Sequence, residues 1–349
     1  MKVLVTGSSG LIGSEAVLFF DEMGFEILGM DNNMRRDFFG PKGDTTWNLQ
    51  RLQSITRHFV HYNLDIRDRQ CVLDFFSRER PGLIIHAAAQ PSHDLAATRP
   101  FDDFDVNAVG TLNLLEATRR STPDAVFIHM STNKVYGDAP NYIRLRETES
   151  RWEYDDPNYF NGIPEDFPID HSLHSLFGAS KVAADILAQE YGKYFGLKTG
   201  IFRGGCLTGS QHCGVELHGF LNYLARVALQ EERYTIYGYK GKQVRDQIHS
   251  HDVINAFWHF AQNPRRGEVY NLGGGKENAA SVIECIEMIY AVSGKRPKVA
   301  YSEQNRIGDH ICYYSDLRKF QEQYPGWKLT FSVEQMIHEI VDAIQCRQV

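Results

Sequence analysis

The chain reads as an α/β protein: a doubly wound parallel sheet of Rossmann type with a smaller mixed α/β C-terminal region. Two observations predict it. Val3-Leu4-Val5 is a short apolar run, followed at once by a glycine-spaced turn and a helical stretch reaching Gly24. Further apolar runs then recur between helical stretches, and strands alternating with helices build a parallel sheet.

Taken in order, the first run suits a buried strand. The turn after it, Thr6-Gly7-Ser8-Ser9-Gly10-Leu11-Ile12-Gly13, spaces three glycines three apart. Strand, glycine turn, helix is the setting in which backbone approaches a pyrophosphate and helix N–H groups face it. Gly7, Gly10, Leu11, Ile12 and Gly13 are therefore candidate dinucleotide contacts. Glu26–Met30 reads as the second strand, with Asp31 and Asn32 at its end. A carboxylate there accepts hydrogen bonds from ribose hydroxyls and repels a 2′-phosphate, which favours NAD. Arg35 and Arg36 follow closely, and arginine can also hold a 2′-phosphate. Phe59-Val60 is the third run, with Asp65 and Ile66 placed to edge an adenine. The fourth runs from Leu83 through Ala87, Ala88 and Ala89 to Gln90, small residues across which a cofactor can lie. The fifth, Ala125 to Met130, ends at Ser131-Thr132.

Length allows two domains: a cofactor domain over 1–202, with some later segments returning to it, and a mainly substrate-binding domain over 203–349. Acidic residues outnumber basic ones, 44 to 37, which argues against a nucleic-acid surface. Met1-Lys2 leads straight into the first strand, no apolar run is long enough to span a membrane, and the six cysteines contain no CxxC pair. A cytoplasmic protein with free thiols is expected. Cys206, His212 and Cys213 do not make a convincing ligand set, so no metal is expected.

Further segments join these: His86-Ala-Ala-Ala-Gln90, Asn107-x-x-Gly110-Thr111-x-Asn113, Ser131-Thr132-x-x-Val135-Tyr136-Gly137, Ser180-Lys181, Phe202-Arg203, Arg245-Asp246-x-x-His249-x-x-Asp252 and Asn271-Leu-Gly-Gly-Gly275. Together, from residue 3 to about 330, the chain resembles the extended short-chain dehydrogenase/reductases that act as nucleotide-sugar epimerases and dehydratases. Ser131–Asp138 and Gly241–Asp246 look most like the CDP-tyvelose (CDP-paratose) 2-epimerase branch. The resemblance implies tightly held NAD that oxidises a sugar hydroxyl to a ketone; the carbon is then inverted, or a group eliminated, and the hydride returned. It implies that Asn107 and Lys181 contact the cofactor and that Thr132 hydrogen-bonds the reacting hydroxyl. Arg245 and Arg306 would clamp a diphosphate, Asp309 a substrate ribose, and Tyr237 would lie where the nucleotide base is held. Cys206 lies where the chain passes the nicotinamide, and packing is its commoner role. A homodimer through the helices after Asn107 and from Ser180 is usual in such proteins.

One position departs from the pattern. Residues 177–181 read Phe-Gly-Ala-Ser-Lys, where the family has Tyr-x-x-x-Lys. A lysine charge ordinarily draws that tyrosine's pKa down from about 10. Phe177 can neither take nor give a proton. The departure fits a deliberate replacement, a site using another base, or a binding protein without turnover. Asn133-Lys134 stand where the 4,6-dehydratases carry Asp-Glu, so ordinary 4,6-dehydration is disfavoured. Lys134 is the candidate replacement base; alternatively it pairs with a substrate phosphate or acid. His171 and His174 are the histidines upstream of Phe177. His86 is expected to pack at a strand end, His249 in a structural turn, and Tyr136 is read as structural. Residues 145–172 are expected as a loop over a sugar pocket.

Overall fold

The computed structural model describes residues 1–211, 219–305 and 309–347. Two compact units result: Met1–Val135 with Leu176–Arg203 and Val253–Tyr270, and Tyr136–Ser175 with Gly204–Asp252 and Asn271–Val349. Residues 136–175, placed in the first domain from sequence, group with the second unit.

In the first unit β1 (Lys2–Thr6), β2 (Glu26–Met30), β3 (Phe59–Tyr62), β4 (Leu83–His86) and β5 (Val126–Thr132) join Lys198–Gly204 and Glu268–Leu272 in one sheet. The strand order is 268–272, 198–204, β5, β4, β1, β2, β3. β1 pairs in parallel with both β2 and β4, so the order reverses beside it. Ligands of such sheets bind outside the carboxyl ends of the strands at that reversal. Val3, Leu4, Ile84, Ile85, Phe127 and Ile128 are fully buried, because helices cover both faces. Helix α1 (Leu11–Glu22) buries Ile12, Ala16, Val17 and Phe20 at helical spacing. The helix Ser175–Phe195 buries Phe177, Lys181, Ala184, Asp185 and Ala188, one face three or four residues apart. Two carry charge, so that face does more than pack.

The second unit holds the sheet strands Cys206–Thr208, Val244–His249, Ala279–Ser281 and Cys312–Tyr313, and a parallel pair, Arg233–Tyr237 with Lys298–Ser302. Leu221, Leu224, Ile286, Ile289, Ile337 and Ile340, from three helices, share its core. Two sequence expectations need correction. Residues 145–172 are a built part of this unit: Leu145–Glu147 and Trp152–Tyr154 form a hairpin. The Trp152 N–H donates to Lys242 O (2.9 Å), the Tyr154 hydroxyl to Cys312 O (2.7 Å), and Arg151 pairs with Glu284 (2.7 Å). His249 ends a strand rather than sitting in a turn; its ring stacks on Phe331 and reaches Glu339 at 2.8 Å.

Candidate active site

The glycine turn between β1 and α1 is sterically specified. Gly7 has φ +67°, and a Cβ there would stand 2.9 Å from the Ala88 nitrogen. A Cβ on Gly13 would stand 2.0 Å from the Gly7 carbonyl oxygen. Only hydrogen fits at both places, so α1 begins hard against the turn. No side chain caps α1, whose N-cap is Gly10. Its first N–H groups, on Leu11 and Ile12 among others, are thus presented in the manner that binds a pyrophosphate.

Asp31 braces this turn. Its carboxylate accepts from the Ser9 N–H (2.9 Å) and the Asn33 N–H (2.7 Å). Asn33 is left-handed (φ 54°) and ties Asp44, Thr45 and Thr46 together. An open pocket beside it is lined by Asn32, Asn33, Met34, Arg36, Asp37, Asp65 and Arg67. Asn32 donates to Asp65 (3.0 Å), and Arg67 also clasps that carboxylate. Arg35 lies over the Phe39 ring and Arg36 pairs with Asp44. Ile66, beside Asp65, is only 6% exposed and belongs to the apolar core.

Behind the ends of β1 and β4 runs a chain of hydrogen bonds. The Ala88 N–H donates to Thr6 Oγ1, whose proton faces His86 Nδ1 (2.8 Å). His86 Nε2 lies 2.8 Å from Thr111 Oγ1, which donates to Asn107 O. Each hydroxyl has one proton, so this arrangement makes His86 a neutral Nε2–H tautomer. Burial, then the charge of Lys181, pushes its pKa down to about 3. Ala87, Ala88 and Ala89 are half-buried above it. Gln90 and Asn107, each 1% exposed, are fastened to one another: the Gln90 N–H donates to Asn107 Oδ1 (2.9 Å) and Asn107 Nδ2 to Gln90 O (3.1 Å). Asn107 also donates to Ser180 Oγ (3.0 Å), and Gln90 Nε2 to Asp103 (2.8 Å). Burial raises the pKa of Asp103. Through Ser180 this network fixes the helix that carries Phe177 and Lys181. Both amide side chains are spent within the protein.

Lys181 is buried and donates to Met130 O at 2.9 Å. Burial lowers its pKa to about 8, while Asp185 and then Asp103 hold it up. Asp185, one turn further on, accepts from Ser131 Oγ (2.6 Å), Gln189 Nε2 (2.7 Å) and Arg203 (3.0 Å). The Phe177 ring, 6% exposed, packs on His93, with centroids 4.9 Å apart and planes at 59°. His93 is half-buried and opens a short helix capped by Ser92. The sequence pointed instead to His171 and His174; the Nδ1 of His174 faces Ser172 O at 3.0 Å.

At the end of β5, Thr132 Oγ1 accepts from the Lys134 N–H (3.3 Å) and lies 3.4 Å from Asn133 Oδ1. Asn133 is 6% exposed and Lys134 half-buried. Next to Thr132 stand an amide and an ammonium, with no carboxylate in either place.

In the second unit Cys206 and Tyr237 lie on strands and are half-buried. Arg245 and Asp309, read from sequence as separate ligand contacts, form an ion pair. Arg306 lies outside the described residues, as do His212 and Cys213. Among the described residues no group of three or more His, Cys, Asp or Glu is arranged to hold a metal ion.

The model of the NAD dependent epimerase/dehydratase family matches residues 3–273. The chain belongs to this family. It is 35% identical over 298 residues (83% of each chain) to CDP-paratose 2-epimerase from Salmonella typhi. It is 27% identical over 360 residues (98% of this chain, 92% of the other) to dTDP-glucose 4,6-dehydratase 1 from Escherichia coli. The solved UDP-glucose 4-epimerase of Thermus thermophilus in complex with NAD superposes with a TM-score of 0.78 at 26% identity, covering 99% of both chains.

In this family member the glycine turn and the uncapped start of α1 would hold the pyrophosphate of NAD, and the pocket beside Asn32 and Asp65 would receive its adenosine. The enzyme is NAD-dependent; bound NAD supplies a hydride acceptor that can return what it takes. The protein's part is to hold and orient. Lys181 sets a cation at the end of β5, two neutral histidines (His86 and the fully buried His129) lie beneath it, and Thr132 presents a hydroxyl. Burial keeps His129 well below its ordinary pKa, with Lys181 adding to the effect. Sequence reading missed Asp185, Asp103, Asn48 and His93. Asn48 donates to Ser9 O (2.9 Å) from a helix 39 residues on. Asp185 stands four residues after Lys181 and Asp103 four before Asn107, helical offsets that could have been read, whereas Asn48 and His93 lie far along the chain from Ser9 and Phe177.

No described helix is long and apolar enough to cross a membrane.

Proposed function

We propose that this enzyme is a redox-neutral, NAD-dependent epimerase of a nucleotide-activated sugar, of the CDP-sugar 2-epimerase kind. The observation that carries the reading is Asn133-Lys134 beside Thr132, where water elimination would need an acid and a base, combined with 35% identity to a CDP-paratose 2-epimerase. Thr132 hydrogen-bonds the reacting sugar hydroxyl, and Lys181 bridges the nicotinamide ribose hydroxyls. Asn133 and Cys206 contact the sugar, Tyr237 the nucleotide base, Arg245 and Arg306 the diphosphate, and Asp309 a ribose hydroxyl. In this reading substrate phosphate competes for Arg245 with Asp309. The enzyme acts as a homodimer.

The test is proton NMR of the purified enzyme with CDP-paratose in D₂O, with UDP-glucose as second substrate. Interconversion of C2 epimers, with C2 keeping its own hydrogen, supports hydride removal and return at that carbon. Loss of water identifies a dehydratase. Saturable binding with no change in the sugar identifies a binding protein and overturns the enzymatic reading.

A further inference from the structure

Phe177 removes a hydroxyl from the place where this family's chemistry needs a proton acceptor, and the structure puts another titratable ring against that side chain. We infer that His93 is the acid/base of this enzyme, acting in place of a tyrosine at position 177. This rests on the epimerase reading above.

Three features of the first unit support it. The His93 imidazole is packed on the Phe177 ring, centroid to centroid 4.9 Å with the planes at 59°, so a titratable ring is in contact with the side chain that lacks the hydroxyl. Imidazole exchanges protons near neutrality without the help a phenol needs. His93 is also fastened to the same scaffold as Lys181. Ser92, its neighbour, caps the short helix by accepting the Leu95 N–H, and the Ser92 N–H donates to Gln90 Oε1 (2.6 Å). Gln90 is bonded to Asn107, and Asn107 to Ser180, the residue before Lys181. The segment that carries the half-buried His93 is thereby tied through one hydrogen-bond network to the helix that carries Phe177 and Lys181, the preorganisation that a proton-transfer group requires. Phe177 is then a spacer that orients the imidazole edge. Lys134, whose backbone N–H donates to Thr132 Oγ1, is left to meet a substrate phosphate or acid with its ammonium.

The step balances. An imidazole nitrogen takes the proton of the sugar hydroxyl as the carbon gives its hydrogen, with two electrons, to NAD, and a C=O bond forms. On return the imidazolium gives its proton to the carbonyl oxygen as the hydride comes back to the opposite face. No other oxidant or reductant is needed.

The experiment compares the wild type with His93→Gln, Phe177→Tyr and the double variant, using CDP-paratose, with UDP-glucose as second probe. Turnover is read by NMR, affinity by calorimetry, and the His93 ring protons, assigned by their disappearance in His93→Gln, by their shift on addition of sugar nucleotide. His93→Gln is expected to lower kcat about 10²–10⁴-fold with affinity unchanged and thermal unfolding preserved. The double variant should regain rate, because a phenol beside Lys181 can serve the same role. The His93 ring signals should move when sugar nucleotide binds. Wild-type rate in His93→Gln, no gain in the double variant, or unmoved ring signals would each overturn the assignment while leaving the epimerase reading standing. A wild type that binds neither probe, or binds without converting it, overturns the epimerase reading and His93's role with it.

Discussion

Asp185 is the residue whose removal should reveal most about how this site is held. It is 1% exposed and satisfies three donors, among them Arg203, itself only 4% exposed. Asp185→Asn keeps the volume but strands the guanidinium in the interior. Breaking a buried pair from one side costs about 3–5 kcal/mol, a large part of the roughly 5–15 kcal/mol that holds a domain folded. A second consequence follows from the same charge. Asp185 is the foremost group holding the pKa of Lys181 up, to about 8. Without it Lys181 loses its proton nearer neutrality, and the cation that the proposed function sets against the nicotinamide ribose is lost at assay pH. Urea unfolding followed by circular dichroism should show the loss of stability. NAD affinity against pH should show its upper limb moved to lower pH in Asp185→Asn. A double variant, Asp185→Leu with Arg203→Met, should lose less stability than Asp185→Asn, since no uncompensated charge remains. A destabilisation below about 1 kcal/mol, which is within the range of exposed pairs, together with an unmoved NAD profile, would refute the reasoning.

Other expectations can be checked together. Gly13→Ala forces a methyl onto the Gly7 carbonyl; at about 1–3 kcal/mol of overpacking strain, NAD affinity should fall roughly 5- to 150-fold by fluorescence titration, and an unchanged Kd would show that the turn yields. Lys181 has a folded-state pKa of about 8 against an ordinary 10.5. Between those values the unfolded chain binds more protons, so the penalty for burying Lys181 is full below pH 8 and stability gains as pH rises toward 10.5. Lys181→Met should flatten that slope in urea titrations, while wild-type NAD affinity declines over the same window; an identical slope in the variant counts against the burial of a charged lysine. His86 has its folded pKa lowered from 6.5 to about 3. The contribution of its neutral form is therefore present above pH 6.5 and lost as pH falls toward 3, and His86→Gln should resist acid unfolding over that interval better than the wild type.

Much was legible in the chain because it depends on local rules. Apolar runs of strand length, glycines at fixed spacing and an acid at the end of β2 are short-range signals. A parallel sheet buried on both faces needs continuous apolar strands, and a turn crowded by its own helix tolerates only glycine. The absence of a hydroxyl at Phe177 and of carboxylates at Asn133 and Lys134 was equally plain. The two corrections in the second unit came from non-local pairing. Residues 145–172 have little periodicity because their hydrogen bonds go to Lys242, Cys312 and Tyr314, far along the chain. Ile66 stands next to an expected ligand contact, yet from the turn after β3 its side chain packs into the core.

What the sequence by itself determined is the fold class, the cofactor turn and the loss of the expected acid/base, each carried by residue type at close spacing. Only the tertiary structure decided what surrounds that loss. His93 and Phe177 lie 84 positions apart in the sequence, and Asp185, Ser131 and Arg203 come from a helix and two strands. No local pattern connects them. They meet because a parallel sheet brings the carboxyl ends of separate strands to one edge, where a buried charge must find its partners across the chain or lose its proton.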